Sequence, residues 1–360
     1  MTRRKWMALS AGSLAGRGSA AGQNVDDEIR SWAKQAPLSM QFRGGSPGEC
    51  RAWQKEFSAK LSELLGPYKL PERWEEIRER AVDLDDHRRE ELLLRAEGYR
   101  DLPVYRLTPR DASSGRRPGI LALHGHGAYG YDPVAGIATT PERKSNIAEA
   151  NYDYGVQLVR RGYVVAIPCF TPFGRRVDSA KPYRGDACGI TFARMMLFGK
   201  LLIAENLRDA LWTLELLSQS AAVDPARIGC VGLSYGGRMT MLTSALSPKI
   251  RVAVISGALN VMQERVQGRY GCGAQIIPGL LRYGDVPEIA SLIAPRPCLW
   301  EVGQKDSLMV KDWIEPALER MRRAWGALGA AEHLQADSFD GAHRWNGVKA
   351  YPLLERVLKP

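Results

Sequence analysis

The chain has 360 residues, 45% of them hydrophobic and 25% charged, with a formal net charge of +10. That is enough apolar material for a full core, as one large domain or a domain with an appendage, and no run approaches the ~18 apolar residues that cross a bilayer. Four of the ten net positive charges (Arg3, Arg4, Lys5, Arg17) sit in a leader without acids, and elsewhere bases alternate with acids, as from Arg73 to Arg80. The pattern is that of a solvated surface and excludes a nucleic-acid-binding stripe.

Residues 1–22 open on Thr2-Arg3-Arg4-Lys5, continue in an Ala/Gly/Ser-rich run and end near Ser19-Ala20-Ala21. This resembles a twin-arginine export signal, which predicts a periplasmic or secreted protein; a basic, disordered terminus of a cytoplasmic one is the alternative. Residues 23–80 read as an N-terminal helical arm. In it Trp53, Phe57, Leu61, Leu64 and Leu65 recur at helical spacing before the stop at Gly66-Pro67.

Residues 81–360 change pattern and are expected to form one catalytic domain. Leu92–Leu94 and Leu102–Leu107 flank a turn at Glu97-Gly98-Tyr99 and predict an antiparallel pair. Short apolar strands then alternate with helices: strands at Gly119–His124, Tyr163–Ile167, Arg227–Val231, Val252–Ser256, Cys298–Val302 and Leu334–Phe339, and helices at Tyr154–Arg161, Leu201–Leu217, from Gly236, and Asp312–Ala327. That alternation predicts an α/β fold with a mostly parallel central sheet and helices on both faces. In such sheets the active site lies at the carboxyl ends of the strands.

The six cysteines, Cys50, Cys169, Cys188, Cys230, Cys272 and Cys298, include no C-x-x-C pair, so their spacing suggests neither a zinc nor a redox motif. Cys169, Cys230 and Cys298 fall with core strands, whereas Cys188 and Cys272 fall in predicted loops and are candidates to pair under oxidising conditions. The pair His124 and His126 raises the question of a metal. With no carboxylate or cysteine cluster nearby in sequence, no metal site is expected.

The chemistry-bearing motif is Gly232-Leu233-Ser234-Tyr235-Gly236-Gly237, between an apolar strand and a helix. That is the context of a nucleophile elbow: a strained turn exposes the serine, glycines let strand and helix approach, and the helix start supplies free N–H groups. A serine hydroxyl needs a base, and the partners follow in the order Ser, acid, His. Only His333 and His343 come after Ser234; His333 precedes the last strand, so His343, which follows it, is the candidate base. Asp306, after the Cys298–Val302 strand, is the candidate acid, ahead of Asp285, Asp312, Asp337 and Asp340. The oxyanion N–H groups are expected from Tyr235 and from His126, with Gly127 as the alternate. Arg175 and Arg176 are candidate substrate contacts, or else ion pairs that brace the long insertion; Tyr129, Tyr131, Tyr183 and Tyr270 are sugar-stacking walls or, preferably, packing.

The run His124–Gly127, Arg161–Val165, Val223–Gly229, Gly232–Gly237, Ala294-Pro295-Arg296-Pro297 and Gly341-Ala342-His343 resembles the dienelactone-hydrolase-like branch of the α/β-hydrolases, and within it the bacterial acetyl xylan esterase-like proteins. The resemblance covers about Leu92 to the C-terminus. It implies a triad of Ser234, Asp306 and His343, no cofactor, and hydrolysis of a small-molecule or carbohydrate ester through an acyl-enzyme. Dienelactone hydrolases proper carry a cysteine nucleophile; Ser234 here argues against dienelactone as substrate. A prolyl-oligopeptidase-like peptidase shares the serine motif, but the arm is too short for a gating propeller. A non-catalytic binding protein on the same fold is the remaining alternative.

Overall fold

The computed structural model describes residues 24–110, 115–177, 186–268 and 271–359; the leader and the side chains of Tyr183 and Tyr270 lie outside them. A nine-stranded sheet runs through the molecule in the order β1-β2-β3-β5-β4-β6-β7-β8-β9. Its strands are β1 (Glu75–Asp83), β2 (His87–Arg95), β3 (Leu102–Pro109), β4 (Arg117–Leu123), β5 (Val164–Pro168), β6 (Val223–Leu233), β7 (Ile250–Ser256), β8 (Cys298–Gly303) and β9 (Leu334–Phe339). The pairings among β1, β2, β3 and β5 are antiparallel, and those from β5 through β4 to β9 are parallel.

The central parallel strands are largely apolar because alternate residues feed cores on opposite faces of the sheet. Leu121, Ala166, Cys230 and Ile255 enter one core; Ala122, Val165, Val231 and Val254 enter the other. The arm contributes α1 (Val25–Lys34) and α2 (Pro47–Leu65). Ser46 and Glu49 close a capping box at the start of α2, Pro47 occupies its first turn, and Gly66 ends it at φ 69°. The face bearing Cys50, Phe57, Leu61 and Leu65 is buried in the first core, and Gln54 Nε2 donates to the carbonyls of Ser291 and Ala294. The following helices are α3 (Pro141–Ala150), α4 (Tyr154–Val159), α5 (Ala187–Met196), α6 (Leu202–Gln219), α7 (Tyr235–Leu246), α8 (Met262–Arg265), α9 (Val286–Ser291), α10 (Lys311–Ala327) and α11 (Ala350–Leu358). Helices α2, α6, α7 and α10 cover the first core; α4 and α11 cover the second.

One boundary is corrected. The arm is helical only as far as Leu65, and Glu75 onward is the edge strand β1 rather than helix. Its residues are mostly exposed and carry alternating charge, which reads like a helix's charged face. Cross-strand ion pairs hold it instead: Arg78 with Glu90 at 2.8 Å and Arg106 with Glu76 at 2.9 Å.

Candidate active site

Ser234 connects β6 to α7 at φ 62° and ψ −121°, a left-handed conformation that a residue with a Cβ adopts at a cost of about 1–3 kcal/mol. The flanking sequence permits it. A Cβ on Gly236 would stand 1.8 Å from the Leu123 carbonyl oxygen at the end of β4, and one on Gly232 would stand 2.4 Å from the Gly236 backbone. The Ser234 N–H donates to the Ser256 carbonyl at 2.8 Å, which pins the turn to the end of β7. The Tyr235 N–H, first in α7, is among those a helix leaves unpaired.

His343 follows β9, and its Nδ1 lies 2.7 Å from Asp306 Oδ2. The other Asp306 oxygen accepts from the Leu308 N–H at 2.9 Å, so both oxygens of this buried carboxylate are engaged. The histidine loop is fixed from several sides. Lys305 N donates to the Gly341 carbonyl, and the buried Glu301 accepts from the N–H groups of Gly347 at 2.7 Å and Asn346 at 3.1 Å. Burial pushes the Glu301 carboxyl up to about 7. Gly257, at φ 57°, lies against the imidazole, where a Cβ would come 2.9 Å from His343 Cε1. Three of the four other acids have other duties: Asp285 accepts from the N–H groups of Met262, Gln263 and Val286, Asp337 holds Asn346 and Lys349, and Asp340 pairs with Lys305, while Asp312 lies in the first turn of α10. His333 faces the Pro295 carbonyl away from this edge.

Ser234 and His343 line one cavity of about 630 Å³ with His126, Tyr152, Gly257 and Cys272. Beside the serine, the Gly125 N–H donates to the Tyr152 hydroxyl at 2.8 Å, which leaves His126 as the next N–H along this strand end. His124 is wholly buried. Its Nε2 accepts from the Phe170 N–H at 2.9 Å and its Nδ1 meets the Gly125 carbonyl at 2.7 Å. Both ring nitrogens are thus used within the fold, and burial lowers the ring to about 4.

Three features of the cavity had no local signal in the sequence. Tyr152 arrives from the loop before α4. Arg238, one turn into α7, is buried and donates from Nη2 to the Asn260 carbonyl at 2.7 Å and from Nε to Gln275 Oε1 at 3.3 Å, holding two residues of the cavity wall. Cys272 also lines the cavity, and its Sγ lies 2.8 Å from His126 Nε2. Cys188 Sγ stands within 4.8 Å of it, and these neighbours draw the Cys272 thiol down while pushing Cys188 up. Sequence spacing showed no cysteines near His126; the fold supplies them, with Cys188 in the first turn of α5 rather than in a loop. Both are free thiols, as are the other four cysteines.

Arg175 and Arg176 do not line the cavity, which corrects the expectation of substrate contact. Arg175 is bidentate on Glu79 of β1, at 2.6 and 3.2 Å. Arg176 pairs with the fully buried Asp209 of α6 and donates to the Cys169 carbonyl at 3.2 Å. Each braces the insertion after β5. Tyr131 is buried against Tyr105, with ring centroids 4.3 Å apart, and Tyr129 lies under the Arg143 guanidinium at 4.4 Å.

No protein-family model matches the chain. In sequence it is 30% identical over 253 residues to the Bacillus subtilis (strain 168) protein named "Putative hydrolase YtaP", a match that spans 68% of this chain and 78% of that one. Among solved structures it is similar to a "putative acetyl xylan esterase" from Bacteroides fragilis NCTC 9343, with a TM-score of 0.74 at 17% identity over 87% of this chain and 81% of the other. It is also similar to a glucuronoyl esterase from Solibacter usitatus, with a TM-score of 0.62 at 13% identity over 86% and 94%. Among the described residues, no helix is long and apolar enough to cross a membrane.

Proposed function

The chain belongs to the same family of α/β-hydrolases as that Bacillus hydrolase, and from this premise we propose that it is a serine carboxylic-ester hydrolase working through an acyl-enzyme. The observation that carries the proposal is the convergence on one cavity of a strained serine and a histidine backed by a buried carboxylate. His343 takes the Ser234 proton as the hydroxyl attacks the ester carbonyl. Asp306 holds the ring tautomer with Nδ1–H toward itself and stabilises the imidazolium. The N–H groups of Tyr235 and His126 face the developing oxyanion, each worth on the order of 3 kcal/mol in the transition state. His343 then protonates the leaving alcohol, and water repeats the sequence to release the acid.

For the substrate we propose an acylated carbohydrate, with acetylated xylan as the first candidate. The support is the esterase neighbours, the polar side chains of Asn146, Asn260 and Gln275 in the lining, and a cavity of about 630 Å³ beside the serine. The twin-arginine-like leader fits a periplasmic or secreted enzyme that meets such polymers outside the cytoplasm. The test is a panel of p-nitrophenyl esters, acetylated xylan, methyl and glucuronoyl esters, and proline-containing peptides, run with wild type and Ser234→Ala. Ester turnover that the variant loses by on the order of 10⁴-fold or more is expected. Equal turnover by the two proteins removes the proposal, and cleavage of peptides alone replaces it with a peptidase.

A further inference from the structure

The mechanism above uses only the backbone of His126, yet its side chain is not idle. His126 Nε2, Cys188 Sγ and Cys272 Sγ all lie within 4.8 Å of one another, and they are the only such grouping of potential ligand atoms among the described residues. They come from three separate segments: the end of β4, the first turn of α5, and the short helical turn at Gly273–Gln275. The remaining cysteines make ordinary packing contacts. Cys50 Sγ reaches the Ala324 carbonyl, Cys169 Sγ the Phe173 carbonyl and Cys230 Sγ the Thr240 hydroxyl. None of those three meets a histidine.

We propose that His126, Cys188 and Cys272 form a binding site for one borderline-soft divalent cation of the zinc class, with its fourth coordination position open to the Ser234 cavity. One imidazole and two thiolates are the donor types such an ion selects, and three protein ligands with an open fourth position is a recurring zinc arrangement. The two thiolates balance the ion's charge, so binding displaces whatever protons the two sulfurs carry and adds no net charge to the ligand set. The dimensions fit with little movement. Bond lengths of about 2.0–2.1 Å to nitrogen and 2.3 Å to sulfur in a tetrahedron place N and S about 3.6 Å apart. His126 Nε2 and Cys272 Sγ stand at 2.8 Å, so the cysteine turn need open by less than about 1 Å. His126 and Cys272 line the cavity, whereas Cys188, 4% exposed, closes the site from behind. A bound ion would tie the insertion carrying α5 to the strand end beside Ser234.

The test uses the full chain, reduced and freed of metal, titrated with Co²⁺ and then with Zn²⁺. One equivalent of Co²⁺ is expected to give tetrahedral d–d absorption with a thiolate-to-metal charge-transfer band that Zn²⁺ abolishes, and Zn²⁺ is expected to raise the melting temperature. Cys272→Ser, Cys188→Ser and His126→Gln should each weaken binding by tenfold or more, with folding followed by circular dichroism. If one variant does not fold, the other two carry the comparison. Ser234→Ala should bind as the wild type does, so loss of the esterase reading would leave this result standing. No charge-transfer band, or one indifferent to all three variants, overturns the proposal. So does an aerobically prepared chain two hydrogens lighter that takes up no cobalt even after reduction, which would identify a Cys188–Cys272 redox pair instead.

Discussion

Glu301→Gln is expected to change the pH dependence of stability more than stability itself. Glu301 is wholly buried and accepts two backbone N–H groups from the loop that carries His343. Its carboxyl is raised from 4.5 to about 7. Between those values the native chain holds a proton that the unfolded chain has released, so the group's contribution to stability falls as pH rises through this window. At 1.36 kcal/mol per pH unit the loss amounts to about 3 kcal/mol by pH 8. His124 works in the opposite sense. Burial lowers it from 6.5 to about 4, so between these values the unfolded chain binds a proton that the native one does not. Its contribution is lost on acidification, also by about 3 kcal/mol. The two slopes oppose each other in the wild type, and glutamine, neutral throughout, leaves only the histidine's. The assay is urea unfolding of both proteins from pH 5 to pH 8. The amide has one acceptor for two donors, so the variant starts at a deficit of about 1–3 kcal/mol at low pH. That deficit should shrink or reverse by about 3 kcal/mol towards pH 8. A wild-type-minus-variant difference that stays flat across the range would refute the assignment of this titration to Glu301.

Asp306→Asn should fold normally yet lower kcat by on the order of 10³–10⁴-fold, because with the amide oxygen on the Leu308 N–H its uncharged NH2 faces Nδ1 and favours the other imidazole tautomer; single-turnover kinetics on a p-nitrophenyl ester reads this directly. Arg175→Ala should cost less than about 1 kcal/mol, since its pair with Glu79 is solvent-exposed, and should leave KM within about twofold; a large rise in KM would restore Arg175 as a substrate contact. Arg176→Ala should cost more, about 1–3 kcal/mol in thermal or urea unfolding, because it strips one partner from the buried Asp209 while Arg208 remains at 2.7 Å. Tyr152→Phe leaves the Gly125 N–H buried without its acceptor, at a predicted cost of about 1–3 kcal/mol, and should lower kcat rather than raise KM if that strand end positions the oxyanion donor.

The parts of this protein that the sequence revealed are those where one local requirement dominates. Burial on both faces makes the middle of β4 to β8 largely apolar, and Gly66-Pro67 marks the end of α2 at Leu65. The order of strand ends set Asp306 and His343, which lie 2.7 Å apart, against Asp285 and His333, which bond elsewhere. What was hidden depends on partners distant in the chain. Strand β1 has too few apolar residues to alternate, because an edge strand in water is held by ion pairs whose other halves lie on β2, β3 and the insertion. Arg176 looked available for a substrate because nothing near it in sequence announces the buried Asp209. Cys272 and His126 stand 146 residues apart, so no spacing rule connects them.

The elbow shows why the two classes divide as they do. Ser234 occupies a conformation that its own side chain disfavours, and the surroundings must therefore be specialised residue by residue, with hydrogen at the two Cα positions where β4, β6 and α7 collide. Strain of that kind writes itself into adjacent positions and is legible. The histidine loop reaches the same cavity without such strain at His343 itself. It is held by a carboxylate on β8, a backbone bond from Lys305 just after β8 and a glycine after β7, so two neighbouring strand ends fix it. A residue fixed by its neighbours in space leaves only a topological trace, and for His343 that trace is its place after the last strand.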